Sequence, residues 1–319
     1  MIQFSRREVL QQALDLIWRK KFLWWLGFFA GLATYNGQAD FLFKNINAVD
    51  SMQQYLVAVR DVVKSGQADS FFHLIRDFFV SQPAIAFSYL FLIILIALII
   101  LWLIIVSQAA LVRIVGRSVE KKTSGIFDGL AVAGERFWPL FTINVIAKLF
   151  TWGLWVLLAG IPAIIYYLNG TFAWAVTMSI GWFLISVPLS IVISFLILYS
   201  SAYIILQGLP PLPAIRQAWK LFKDNWLVTL EIAGLIYLFN IVVSFIVTAV
   251  AFYTIQPYSW TGLGLLLFVL ALELSFLSAF SYTAWTIVFQ KLQTGRPESK
   301  IGQWTTRLVN LASPKRIPD

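Results

Sequence analysis

The chain contains no cysteine and one histidine, and charged residues occupy only 12% of its 319 positions. Without cysteine there are no disulfides, thiol nucleophiles, iron–sulfur clusters or thiolate zinc sites. With His73 alone, no two-histidine metal motif can be assembled. Soluble domains carry about 25% charged residues, and this chain lacks the polar surface that such a domain needs. In its place are 60% hydrophobic residues, among them 27 Phe, 14 Trp and 11 Tyr, with a mean hydropathy of +0.80. A soluble core of this size could not bury so much apolar surface. The solvent of this chain is lipid.

A bilayer core about 30 Å thick is crossed by roughly 20 apolar residues in a helix. Five long runs meet that length, at about 84–112, 139–167, 172–206, 226–255 and 261–290. A sixth, 22–35, is short. It spans if the helix continues back through the amphipathic stretch before it, or if the bilayer thins locally. The runs are continuous and do not alternate, which selects helices over a β-barrel. The expected fold is therefore all-α and polytopic, with six transmembrane helices.

Charge orients them. Of 24 Lys and Arg residues, 19 fall before residue 22, between 113 and 136, between 216 and 223, or after 290. The opposite loops hold Lys44, Arg60, Lys64 and Arg76. Positive residues favour the cytoplasmic side, so both termini are expected there, in a bacterial plasma membrane. Basic loops beside anionic headgroups account for the net charge of +9 without nucleic acid. Arg6 and Arg7 lead into an amphipathic helix with no small-residue cleavage pattern after the apolar run, which argues against a cleaved signal peptide.

The spans pair into three units, about 1–116, 117–208 and 209–296, within one membrane domain covering 1–296. Each unit is an amphipathic inner helix followed by a span going out and a span returning. Units one and three share Ala13, Trp18, Arg19 and Trp25 against Ala214, Trp219, Lys220 and Trp226. Each return runs out near a glycine (Gly116, Gly208 or Gly295), where helices commonly end. Unit one carries an outer insertion, 37–82, with two amphipathic stretches. The tail, 297–319, holds an interfacial pattern at 301–311. The inner helices are expected at about 4–20, 118–136 and 210–224. In the third, Ile215, Trp219 and Phe222 align, with Arg216, Lys220 and Lys223 beside them.

The segment PAIRQAWKLFKDNWLVTL, residues 213–230, carries a short Ala- and Trp-bearing helix into an Asn-Trp span start. With the hydropathy layout, it resembles the six-helix bacterial membrane domain fused to some glycerophosphodiester phosphodiesterases and found in related stand-alone proteins of unknown function. That resemblance implies the membrane module. The catalytic barrel, which takes about 250 residues, has no room in this chain.

Ionisable groups inside a span are costly and invite a functional reading. Lys148 lies ten residues into the third span and Glu273 about a dozen into the sixth, from opposite faces, which places them at similar depth. They are expected to face one another, either as a packing pair or as a coupling pair for protons or cations. Glu231 lies near the inner interface, at the depth of Asn144, a candidate partner. Ser179, Ser186, Ser190, Ser194 and Ser201, at steps of 7, 4, 4 and 7, share one helical face around Pro188. Such a face serves close packing or lines a polar path. Gly27 and Gly31 form a GxxxG match.

The sequence argues against catalysis: it has no HExxH, no span with aspartate, no P-loop and no dinucleotide fingerprint. No metal or cofactor is expected. The reading is a non-catalytic module that organises anionic inner-leaflet lipids or a membrane protein partner. A small transporter using Lys148 and Glu273 is the alternative, although three parallel hairpins lack the inverted pair common in transporters.

Overall fold

The computed structural model describes residues 6–33, 76, 79–122, 124–161, 164, 172–254 and 260–295. Most of the insertion 37–82, with His73, and the tail 301–311 lie outside the described residues. Helices account for almost all that is described, and no strand occurs among these residues. They run as α1 Arg6–Arg19, α2 Phe22–Ala33, α3 Pro83–Val119, α4 Ile126–Glu135, α5 Phe137–Trp155, α6 Phe172–Gln207, α7 Pro211–Asp224, α8 Trp226–Thr254 and α9 Trp260–Thr294. A π-helical turn, Val156–Gly160, follows α5. Helices α3, α5, α6, α8 and α9 are long and apolar enough to cross a membrane.

The sixth run, α2, is 12 residues long, which is about 18 Å of helix. It does not continue back into α1. The chain breaks at Lys20 and Lys21, where the amides of Leu23 and Trp24 turn back onto the carbonyls of Lys20 and Lys21. The same kind of elbow recurs at Arg136, between α4 and α5, and at Asn225, between α7 and α8. Three and seven residues before each elbow the chain is buried: Ile17 and Ala13, Ala133 and Gly129, Phe222 and Ala218. Equating Lys20 with Asn225 shifts units one and three by four residues, one helical turn, from the tryptophan alignment.

Polar side chains tie down two of the elbows. Lys20 Nζ donates to Ser118 Oγ at 2.9 Å, beside the end of α3. Arg136 donates to the carbonyl of Gly208, at 3.4 Å, where α6 ends. Both cations thus sit at helix C-termini, where the unpaired carbonyls favour positive charge. At the third elbow Tyr199 and the Thr229 hydroxyl are 2.9 Å apart, and Thr229 Oγ1 also donates to the Asn225 carbonyl.

Gly208 ends α6 with φ +72, and Gly295 follows α9 directly. Gly116 does not end a helix; α3 runs on to Val119. A Cβ at Gly116 would strike the Leu206 side chain, and its carbonyl accepts from Gln290 Nε2 at 2.9 Å. Close approach, not a turn, is what that position requires. Among the described non-glycine residues the left-handed one is Lys121, φ 60, with the amide of Lys122 bonded to the Arg117 carbonyl at 2.9 Å. An L-residue pays roughly 1–2 kcal/mol for that conformation. Lys121→Gly is therefore expected to raise stability by about 1 kcal/mol, read as a higher thermal midpoint in detergent. An unchanged or lower midpoint would contradict this account.

The chain divides into two compact units, Met1–Thr34 with Ile105–Leu140 and Phe195–Asp319, and Tyr35–Ile104 with Phe141–Ser194. In the first, α1, α2 and α8 pack on α9, and α7 on α8. Its centre is aromatic. Phe195 and Tyr199 are fully buried; the Phe195 ring lies 5.6 Å from Phe222 and 5.3 Å from Trp285, and Tyr203 lies 4.8 Å from Phe289. The second unit exposes long apolar stretches, such as Phe87 and Phe91 on α3 and Phe150 and Trp152 on α5. Lipid, not water, suits such surfaces.

Candidate functional site

One group of polar side chains in the first unit's spans lies between α8 and α9. Asn240 and Ser244 lie one turn apart on α8 and so share a face. Ser244 Oγ donates to Glu273 Oε1, and Asn240 Nδ2 donates to Ser281 Oγ at 3.0 Å. Each pair leaves one acceptor over. Glu273 Oε2 and Asn240 Oδ1 are buried without a hydrogen-bond partner. Buried acceptors without donors are uncommon and costly. They give this interface a capacity to take up a donor or a cation.

Within the first unit Glu273 is thus bonded to Ser244. Lys148 is exposed on α5, in the second unit. Asn144 is half-buried in that same unit, and Glu231 half-buried on α8 in the first. Of the serine face, Ser186 and Ser190 are buried, Ser194 Oγ donates to the Ser190 carbonyl at 2.8 Å, and Ser201 is half-buried. The side chain of Ser179 lies outside the described residues. Ser200, which the stepwise count passes over, is fully buried and its hydroxyl has no partner. The residues missed by sequence reasoning are Asn240, Ser244 and Ser281. Their signal was available in the four-residue step on α8 and the eight-residue step from Glu273 to Ser281.

The Ser244–Glu273 contact gives a direct test. Ser244→Ala strips the donor and leaves a buried carboxylate with neither oxygen bonded, which should cost about 1–3 kcal/mol. Removing both partners, with Ser244→Ala and Glu273→Leu, should recover most of that loss, because no orphaned charge remains. Folded yield across this four-member cycle is the measurement; additive effects would show that the contact carries no energy.

At the basic end of the same unit, the cations divide into two groups. Arg117 pairs with Asp128, and Lys122 with Glu120 at 2.8 Å, which holds the Glu120 carboxyl below its usual range. Lys20 and Arg136 are engaged at helix ends, as above. Arg216, Lys220 and Lys223 on α7 are all exposed.

These features define an all-α, multi-pass membrane protein. No known protein family, curated protein or solved structure matches the chain.

Proposed function

We propose that the chain is a non-catalytic module of a bacterial inner membrane, with both termini cytoplasmic, that organises anionic lipids or a membrane protein partner. The observation that carries this reading is the filled centre of the first unit. Aromatic rings occupy it, α2 is pressed onto α9 through glycines, and Tyr199, Asn240 and Glu273 bond to neighbouring hydroxyls. Such a centre supports a fixed scaffold. The three elbows, each joining a shorter helix to a strongly apolar one, support a repeated unit. The test is extraction into lipid nanodiscs without detergent, followed by a mass-spectrometric inventory. Reproducible enrichment of a lipid class or of one stoichiometric protein, relative to bulk membrane, is expected; an inventory identical to bulk membrane would overturn the reading. Orientation is tested in this Cys-free chain by Asp50→Cys, which should label from the periplasmic side only.

The unbonded oxygens of Glu273 and Asn240 favour a second reading, a small cation- or proton-coupled transporter. Its wider form adds Lys148 as a partner of Glu273. A variant carrying Lys148→Met and Glu273→Leu that folds yet loses flux in proteoliposomes would support it. A folded variant with all function intact would support the scaffold.

A further inference from the structure

Helix α7 begins on Pro210 and Pro211, whose fixed φ suits the first turn, and ends at the Asn225 elbow. Ala214 and Ala218 are fully buried and Phe222 stacks on Phe195, so the helix is held in one rotation about its axis. At about 100° per residue, the remaining side chains fall into three strips in a fixed order. Next to the buried strip come Ile215, Trp219 and Leu212; Trp219 and Leu212 are 49% and 68% exposed. Then come Arg216, Lys220 and Lys223, and beyond them Gln217 and Asp224. None of the three cations makes a side-chain hydrogen bond or ion pair among the described residues. Apolar, then cationic, then polar is the order met on passing from acyl chains through phosphates to water.

We propose that this face of α7 is a docking strip for anionic phospholipids, with Trp219 and Leu212 against the acyl chains and Arg216, Lys220 and Lys223 on the headgroup phosphates. The proposal rests on the module reading and names its lipid class and its site. Three features separate this strip from general basic character. The core-facing side of α7 is already occupied, the exposed apolar residues flank the cations on one side only, and the cations are uncommitted among the described residues. An acidic protein groove would satisfy the cations but would not require apolar residues on a single flank.

The experiment uses the full chain, purified and exchanged into nanodiscs of equimolar phosphatidylglycerol and phosphatidylcholine, with retained lipid read by native mass spectrometry. Each basic residue near an anionic surface contributes about a fivefold preference. Arg216→Gln, Lys220→Gln and Lys223→Gln together should lower the phosphatidylglycerol preference at least tenfold. The charge-conserving set Arg216→Lys, Lys220→Arg and Lys223→Arg should keep it, and also checks that substitution here leaves folding intact. Trp219→Ala should weaken retention of both lipids alike. An unchanged preference in the glutamine variant overturns the α7 site while leaving the module reading standing. Loss of a stoichiometric acidic protein in that variant, with lipid preference unchanged, also overturns it and assigns the strip to protein. A wild-type chain with no lipid or protein enrichment would sink both this site and the module.

Discussion

Gly27→Ala is expected to be among the most damaging single-methyl changes in the chain. A Cβ at residue 27 would strike the backbone carbonyl of Ser275 and lie 2.8 Å from Ala279 Cβ, so the groups it meets belong to helix α9 itself and cannot rotate away. Overpacking of this kind costs about 1–3 kcal/mol and occasionally more. Lipid adds to the effect, because helices in a membrane associate by close packing and not by expulsion of water. Gly31→Ala should cost less: its Cβ would meet the Ser278 hydroxyl and the Leu274 side chain, both of which can turn. Gly234→Ala, with open space around it, should be neutral or slightly stabilising, since alanine is the better helix former by about 1 kcal/mol. Thermal midpoints in one detergent give the order directly. If Gly27→Ala melted with Gly234→Ala, the close α2–α9 approach would be wrong.

Phe195→Ala should cost about 3–5 kcal/mol by the usual range for buried aromatics. Phe195 is fully buried, stacks on Phe222 at 5.6 Å and meets Trp285 edge-on at 5.3 Å. The water-to-core transfer part of that cost shrinks if the unfolded chain stays in lipid. What remains is the cavity and the lost dispersion contacts, which places the expectation near 3 kcal/mol. The loss should also loosen α7, whose Phe222 rests on this ring. Leu184→Ala, on an exposed face of α6, is the control and should be close to neutral. Unfolding midpoints in denaturant, with tryptophan fluorescence as the probe, distinguish the two.

The spans were readable because their cause is local: a 20-residue apolar run leaves the backbone no option but to bond within itself. The α7–α8 elbow was readable for a similar reason, since Pro210 and Pro211 fix the start of one helix and Asn225 followed by Trp226 marks the start of the next. The bond between Ser244 and Glu273 was not. Counting residues from the membrane faces assigns only a depth layer; that Ser244 bonds to Glu273 depends on α8 packing beside α9. Burial of serines on α6 failed to follow a fixed step for the same reason, as the neighbours change along the helix and Ser200 replaces Ser201 as the buried hydroxyl. Trp219 shows the opposite limit. A hydrophobic pattern assigns it to the apolar face with Phe222, yet Phe222 is buried and Trp219 faces outward. Gly116 carried a real signal, read for the wrong purpose: the missing Cβ makes room for Leu206.

The docking of Gly27 on Ala279 also sets an order in time. α2 leaves the ribosome some 250 residues ahead of its packing surface on α9. At about 5–20 residues per second, the first short helix waits on the order of 10–50 s for the surface that holds it. Until then its glycine face has no mate, and neither has the face of α1 that rests on α9. A nascent chain interrupted before residue 275 would carry α1 and α2 without the α9 surface on which both pack. Completion of α9 is thus the event that commits α1 and α2.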